Sequence, residues 1–149
     1  MDAPLLTDDF KEFLKSLNAS HVEYLLVGGY AVGLHGYPRA TVDMDVWVRP
    51  TLDNAKRVIA ALGEFGFDRT KLRPDLFINP DSLVRFGVPP FRIEIMTSID
   101  GVTFDPCYQR LVRFQLEDIE VLVISLDDLK TNKRAAGRHK DLNDLENLP

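Results

Sequence analysis

The sequence has little cysteine, no long apolar run and no excess of positive charge, and each shortage excludes a class of protein. One cysteine, Cys107, in 149 residues rules out an internal disulfide and fits a reducing compartment. No apolar run approaches the ~18 residues of a membrane helix, and residues 1–4 lack a basic leader segment, so we expect a cytoplasmic protein without membrane contact. With 18 basic and 23 acidic residues, the net charge of −5 disfavours nonspecific coating of nucleic acid.

Internal repeats, low-complexity tracts and Gly/Ser linkers are also missing, which indicates a single domain over residues 1–149. The composition, 45% apolar and 28% charged, is that of a globular protein. Helical and strand patterns alternate early in the chain, and strands cluster later. The sequence therefore predicts an α/β (α+β) fold, a mixed β-sheet flanked by helices, with a core over about residues 22–125 and C-terminal helices over about 126–148.

Hydrophobic periodicity and capping residues place the individual elements. Apolar residues at helical spacing predict a helix over 7–18, a four-residue apolar run predicts a buried strand over 24–27, and a short helix follows over 30–35. Thr51 and Ser125 are predicted helix N-caps, and Gly137 a helix end. Residues 68–81 are polar and contain several prolines, which predicts a mobile loop. Further strands are predicted over 83–86, 91–97, 112–116 and 119–124.

Three carboxylates are the main candidates for chemistry. Asp43 and Asp45 alternate with Met44 and Val46, so they share one strand face about 7 Å apart. Glu94 shows the same alternation on a later strand. If the two strands are neighbours, all three side chains leave one sheet face, where like charges are costly and oxygen donors suit a hard cation such as Mg²⁺. The alternative is that Asp43 and Asp45 form the solvated face of an edge strand.

A glycine pair lies between the first predicted strand and the short helix. Gly28 and Gly29 allow the backbone to approach a ligand closely, and amides at a helix N-terminus bind phosphate; the alternative is a tight strand-to-helix turn. The pattern is neither a Walker loop nor a dinucleotide-binding fingerprint, which disfavours kinase-like ATPases and Rossmann proteins. Arg39, between this turn and Asp43, is a candidate phosphate contact or a surface arginine.

Lys133 falls within the apolar stripe of the predicted helix that follows Ser125. A lysine there must either snorkel to solvent or reach an anion. Five cations and no acid occur between residues 130 and 140, which indicates a solvated face or a phosphate-binding surface. If this run and the basic residues of 69–73 line one groove, RNA is favoured as a ligand, whereas an acidic groove favours a cationic small molecule.

These motifs together resemble a known family. Gly28-Gly29, thirteen intervening residues, Asp43-Met44-Asp45-Val46 and a later Ile93-Glu94-Ile95 are similar to the motif of the DNA polymerase β-type nucleotidyltransferase superfamily. The likeness extends to small bacterial members, including AbiEii-type toxins and enzymes that modify aminoglycosides. The segment from Lys133 through Gly137-Arg138, Lys140-Asp141 and Asp144-Leu145 also resembles the distal motif of such proteins.

The resemblance implies a nucleotidyltransferase fold and a Mg²⁺-dependent enzyme, with Mn²⁺ as the alternative ion. Such an enzyme moves a nucleoside monophosphate from a nucleoside triphosphate to a hydroxyl of RNA, including tRNA, or of a small molecule, and releases pyrophosphate. It implies metal-binding and catalytic roles for Asp43, Asp45 and Glu94, with Glu94 assisting at the acceptor or deprotonating its hydroxyl. Gly28 and Gly29 would cradle the triphosphate, and Lys133 would bind the nucleotide.

Two positions depart from the pattern: Gly29 stands where many members have serine, and the third acid is glutamate. Little chain remains for a separate acceptor-binding domain, so we expect either a homodimer or an acceptor that is small or held at the surface, with a cognate antitoxin as another candidate partner. Two other hypotheses remain: a non-catalytic nucleotide- or partner-binding module on the same fold, and a structural domain with an accidental motif.

Overall fold

The computed structural model describes residues 7–88 and 90–149, so the interpretation of residues 1–4 lies outside the described part. The described strands are β1 (Tyr24–Val27), β2 (Asp43–Val48), β3 (Leu83–Val88), β4 (Phe91–Met96), β5 (Val112–Leu116) and β6 (Ile119–Val123). The described α-helices are α1 (Asp8–Ala19), α2 (Gly28–Leu34), α3 (Leu52–Phe65), α4 (Phe104–Gln109), α5 (Leu126–Ala136) and α6 (His139–Asn147).

These strands form one six-stranded sheet in the order β3-β4-β2-β1-β6-β5. The pairs β2/β4 and β1/β6 are parallel, and the other neighbouring pairs are antiparallel. The predicted mixed sheet flanked by helices is therefore confirmed. No α-helix in the described ranges is both long and apolar enough to span a bilayer.

The alternation along β2 and β4 separates an apolar face from a polar face. Met44 lies beside Ile93 and Val46 beside Ile95, and all four side chains are buried. On that face Phe91 packs against Phe10 of α1 and Phe65 of α3, at ring-centroid distances of 4.9 and 5.4 Å. Burial of each large apolar side chain contributes about 1.5–3 kcal/mol, so this packing fixes the register of β2 and β4.

The opposite face of the same two strands holds the acidic residues. Trp47, further along β2, is also on this face and is buried against Phe104 of α4, with ring centroids 5.1 Å apart. Trp47 therefore packs in the core at one end of the face, and the carboxylates occupy the other end.

Helix boundaries follow the predicted caps. The Thr51 hydroxyl accepts a hydrogen bond from the Asn54 amide and begins α3, and the Ser125 hydroxyl accepts one from the Asp128 amide and begins α5. Gly137, at φ +65°, ends α5 in the left-handed region. The carboxylate of Asp128 accepts two hydrogen bonds from Arg110, at 3.0 and 2.9 Å, so it forms an ion pair between elements.

Residues 68–81 differ from the predicted mobile loop. They contain two 3₁₀ helices, Arg69–Lys71 and Pro74–Phe77, and Phe77 is fully buried. The Arg69 side chain lies against Gly63 of α3, at a position where glycine leaves room for it. The burial of Phe77 could not be predicted from this polar segment, because a single buried aromatic residue does not produce a periodic pattern.

Candidate active site

The three predicted carboxylates lie together on the polar face of β2 and β4. In the parallel pairing of these strands, Asp45 is directly beside Glu94, and Asp43 is two residues along β2 on the same face. The neighbouring strands that the sequence analysis required are therefore present. Because β2 lies between β4 and β1, Asp43 and Asp45 are in the interior of the sheet and do not belong to an edge strand.

Two arginines compensate part of this negative charge. Arg92 Nε and Nη2 each donate to Asp43 at 2.8 Å, a two-pronged contact, and Arg85 Nε donates to Glu94 at 2.8 Å. The hydrogen bonds from Arg92 hold the pKa of Asp43 below its usual range. Arg85 is opposite Glu94 in the β3/β4 hairpin, so strand register alone places it at the carboxylates.

Asp45 has no such partner. Burial raises the pKa of Asp45 to about 7, and the charges of Glu94 and Asp43 act in the same direction. Among the described residues, nothing donates a hydrogen bond to its buried Oδ1. A buried charged group without a partner destabilises the fold by about 1–3 kcal/mol or more, so a ligand that brings positive charge to this oxygen would offset a cost built into the free protein.

Gly28 and Gly29 form the N-terminus of α2 and lie against this face. At Gly28, φ is +67°, and a Cβ added there would lie 2.9 Å from Cγ of Asp45 and closer still to Oδ2. A Cβ at Gly29 would lie 2.6 Å from the hydroxyl of Thr41 and 3.4 Å from Nη1 of Arg39. The Gly29 departure from the family pattern thus has a local reason, since Thr41 occupies the space that a serine side chain would need.

A buried ionic cluster lies beside this face; it consists of Arg39, Lys133, Arg138, Asp141 and Asp144. Lys133 is 4% exposed, and its Nζ lies 3.2 Å from Asp141 and 3.0 Å from Asp144 of α6. Arg39 Nε and Nη2 also donate to Asp144, at 2.8 and 3.1 Å, and Arg138 Nε donates to Asp141 at 2.7 Å. Lys133 therefore reaches an anion, and the chain itself supplies it.

A single open cleft of about 640 Å³ joins these groups. Its lining includes every predicted site residue: Gly28, Gly29, Arg39, Asp43, Asp45, Glu94 and Lys133. Arg138 and Lys140, from the basic run between residues 130 and 140, also line it, whereas Arg69, Lys71 and Arg73 are not among its lining residues. The two basic groups therefore do not share this cleft, and its walls carry both signs of charge.

The chemistry of the donors fits a divalent cation. Among residues 7–88 and 90–149, no three acidic, histidine or cysteine side chains already converge as a metal cluster, because Asp43 and Glu94 are turned toward arginines. The partnerless Oδ1 of Asp45 and the surplus of carboxylates over arginines favour such an ion. For Asp43 to act as a ligand, Arg92 has to leave at least one of its oxygens.

Comparison with known proteins agrees with this geometry. The sequence matches a family described as "nucleotidyltransferase of unknown function (DUF6036)" over residues 6–148, nearly the whole chain. The chain belongs to this nucleotidyltransferase family. No curated protein matches the sequence. The family description names neither a substrate nor an acceptor.

The site of this nucleotidyltransferase contains residues that sequence reasoning did not select. These residues include Arg85, which the hairpin register sets opposite Glu94, and Arg92, which the parallel pairing sets beside Asp43. Asp141 and Asp144 were part of a motif without a role. Their spacing of three residues on one helix face, opposite a lysine in an apolar stripe, was the available signal.

Proposed function

We propose that this protein is a divalent-cation-dependent nucleotidyltransferase that moves a nucleoside monophosphate from a nucleoside triphosphate to a hydroxyl acceptor. One observation supports this most directly: Asp43, Asp45 and Glu94 share one sheet face beside the Gly28 turn, and a buried oxygen of Asp45 lacks a partner. The likeness of these motifs to the polymerase β-type superfamily and to AbiEii-type proteins supports the same proposal.

The triphosphate would lie between the glycine turn and the buried ionic cluster. A lysine ammonium has three donors; Lys133 donates one to Asp141 and lies 3.0 Å from Asp144, which leaves at least one donor for a phosphate oxygen. Arg39 holds Asp144 through Nε and Nη2, while its Nη1 is beside Gly29. Asp144 thus positions both cations against the turn before any nucleotide arrives.

In the reaction, the acceptor oxygen forms a bond to the α-phosphorus as the bond to the bridging oxygen breaks and pyrophosphate leaves. Asp43 and Asp45 would hold Mg²⁺ or Mn²⁺, which neutralises charge on the triphosphate. Glu94 would accept the proton of the acceptor hydroxyl or share a second cation at that hydroxyl. Placement of the reacting groups in line is the main contribution of the fold.

The test is a thermal-shift series with each of the four nucleoside triphosphates, with and without Mg²⁺. At about 100 times its dissociation constant a ligand stabilises by roughly 2.7 kcal/mol, which for this chain length corresponds to a rise in Tm of roughly 5–11 °C. We expect such a rise only with Mg²⁺ present, and its loss in Asp43→Asn and Asp45→Asn. Asp75→Asn is the control, because Asp75 is exposed and outside the cleft.

Transfer of a labelled nucleotide, with release of pyrophosphate, is the second measurement. A Mg²⁺-dependent shift without transfer to any RNA or small-molecule acceptor would favour the non-catalytic nucleotide-binding module. An unchanged shift in both Asp43→Asn and Asp45→Asn would refute the assignment of the carboxylates.

A further inference from the structure

Two arginines at one edge of the sheet lie beside the carboxylates, on the side away from the glycine turn. Arg85 is on the edge strand β3, opposite Glu94, and its side chain is 60% exposed. Arg92 is on β4, beside Asp43, and is 34% exposed. Both line the same cleft as the carboxylates.

The strand order fixes which side of the carboxylates these arginines occupy. Gly28 follows β1, Asp45 is on β2, Glu94 on β4 and Arg85 on β3, and these strands are consecutive across the sheet. Neighbouring strands are about 4.8 Å apart, so Arg85 is on a strand about 10 Å from that of Asp45, opposite to the turn. In an in-line displacement the attacking group enters on the side opposite the leaving pyrophosphate. The acceptor would therefore enter past Glu94 and Arg85.

Charge balance at the carboxylates indicates that these arginines bind an anionic ligand. Two arginines face three carboxylates, so the free face has a surplus of one negative charge whenever Asp45 is ionised. If Asp43 and Asp45 held a divalent cation, this surplus would be reversed and Asp43 would give up at least part of its contact with Arg92. Each guanidinium has five donors in a planar fork that matches phosphate oxygens, and Asp43 uses two of those of Arg92.

We propose that Arg85 and Arg92 bind a phosphate group of the acceptor, so that the acceptor is a hydroxyl compound that also carries phosphate. This inference rests on the proposed function and defines its second substrate. An RNA end and a phosphorylated sugar share the required chemistry. A polycationic acceptor such as an aminoglycoside would meet two guanidinium groups at the entrance and is disfavoured.

The experiment measures acceptor binding without turnover, at saturating Mg²⁺ and a non-hydrolysable nucleoside triphosphate. The probes are a short single-stranded oligoribonucleotide and ribose 5-phosphate, with unphosphorylated ribose and an aminoglycoside for comparison. Wild type is compared with Arg85→Gln, Arg92→Gln and the control Arg113→Gln. Arg113 also pairs with a glutamate on the neighbouring strand, at the other edge of the sheet: it reaches Glu120 diagonally at 2.7 Å, and its side chain has the same 60% exposure.

We expect at least one phosphate-bearing probe to bind, and each cleft variant to weaken that binding tenfold or more, while Arg113→Gln leaves it unchanged. Binding of the oligoribonucleotide alone assigns the phosphate to RNA, and binding of ribose 5-phosphate assigns it to a small molecule. Arg92→Gln should also tighten Mn²⁺ binding to the free protein, measured by electron paramagnetic resonance, because a cation competing for Asp43 is removed. Replacement of an arginine with a purely structural role would not weaken binding of the phosphate-bearing probe and at the same time tighten binding of Mn²⁺.

Tighter binding of ribose or the aminoglycoside than of both phosphate-bearing probes would overturn the proposal, and so would cleft variants that bind like wild type. The thermal shift with Mg²⁺ and nucleoside triphosphate separates the two levels of inference. If that shift is present while the arginine variants have no effect, only the acceptor assignment fails. If the shift is absent in wild type, the proposed function itself fails.

Discussion

Replacement of Gly28 by alanine tests the close contact between the glycine turn and Asp45. The left-handed conformation at φ +67° costs an alanine about 1–2 kcal/mol relative to glycine. The new Cβ would also lie 2.9 Å from Cγ of Asp45, so the carboxylate must leave its rotamer, at about 0.5–1.5 kcal/mol. Together the loss is about 1.5–3.5 kcal/mol, or a fall in Tm of roughly 3–14 °C for this chain length.

Gly137→Ala is the matched control. Gly137 has nearly the same φ, +65°, but a Cβ there would meet its nearest neighbour, the Arg134 carbonyl oxygen, only at 3.6 Å. Gly137→Ala should therefore show the backbone cost alone. Gly28→Ala should in addition lose the Mg²⁺-dependent shift with nucleoside triphosphate, because Asp45 is displaced. Equal melting temperatures for the two variants, with the ligand shift intact in Gly28→Ala, would refute the reasoning.

Three further outcomes follow from burial and charge. Asp45 has a pKa of about 7 in the fold and an ordinary value of 3.8, so as the pH rises the unfolded chain loses this proton before the folded protein does. The free energy of unfolding of wild type should therefore fall relative to that of Asp45→Asn between about pH 4 and pH 7, and the difference should stay constant above pH 7, as measured by denaturant titrations. A pH-independent difference would contradict this. Lys133→Met should cost about 1–3 kcal/mol, because Asp141 and Asp144 each lose one buried cation and keep only Arg138 or Arg39; the exposed Arg134→Met should cost under about 0.5 kcal/mol, and similar melting curves would contradict burial of the Lys133 charge. Burial raises the pKa of Cys107 to about 11, so iodoacetamide should label it only on unfolding, as read by mass spectrometry; rapid labelling of the native protein would count against this.

Local elements of this fold could be predicted because their determinants are local. Four consecutive apolar residues gave β1, the Asp43–Val48 alternation gave β2, and Thr51, Ser125 and Gly137 set helix boundaries through hydrogen bonds to nearby residues. The strand order could not be predicted in the same way. The parallel pairing of β2 with β4 joins residues about fifty positions apart, and no short-range pattern specifies it.

The residues of the predicted site line one cleft, but the side chains that pair with them could not be predicted. The acidic residues were recognisable because carboxylates alternating with apolar residues on a strand are conspicuous. Their arginine partners were not, because Arg85 reaches Glu94 only through the hairpin register and Arg92 reaches Asp43 only through the parallel pairing. For Lys133, periodicity indicated that the side chain either snorkels to solvent or reaches an anion, and it could not show that the anions lie on the next helix.

The two ionic groups of the cleft have opposite charge imbalances. On the strand side, three carboxylates face Arg85 and Arg92, whereas on the helix side Arg39, Lys133 and Arg138 face two aspartates. Under the proposed function, a divalent cation would bring positive charge to the strand side, and a triphosphate would bring negative charge to the helix side. A cation bound without the nucleotide would leave the positive surplus of the helix side uncompensated, and a nucleotide bound without the cation would leave the negative surplus of the strand side uncompensated. We therefore expect cation and nucleotide to raise the affinity for each other, and linkage makes the factor the same in both directions.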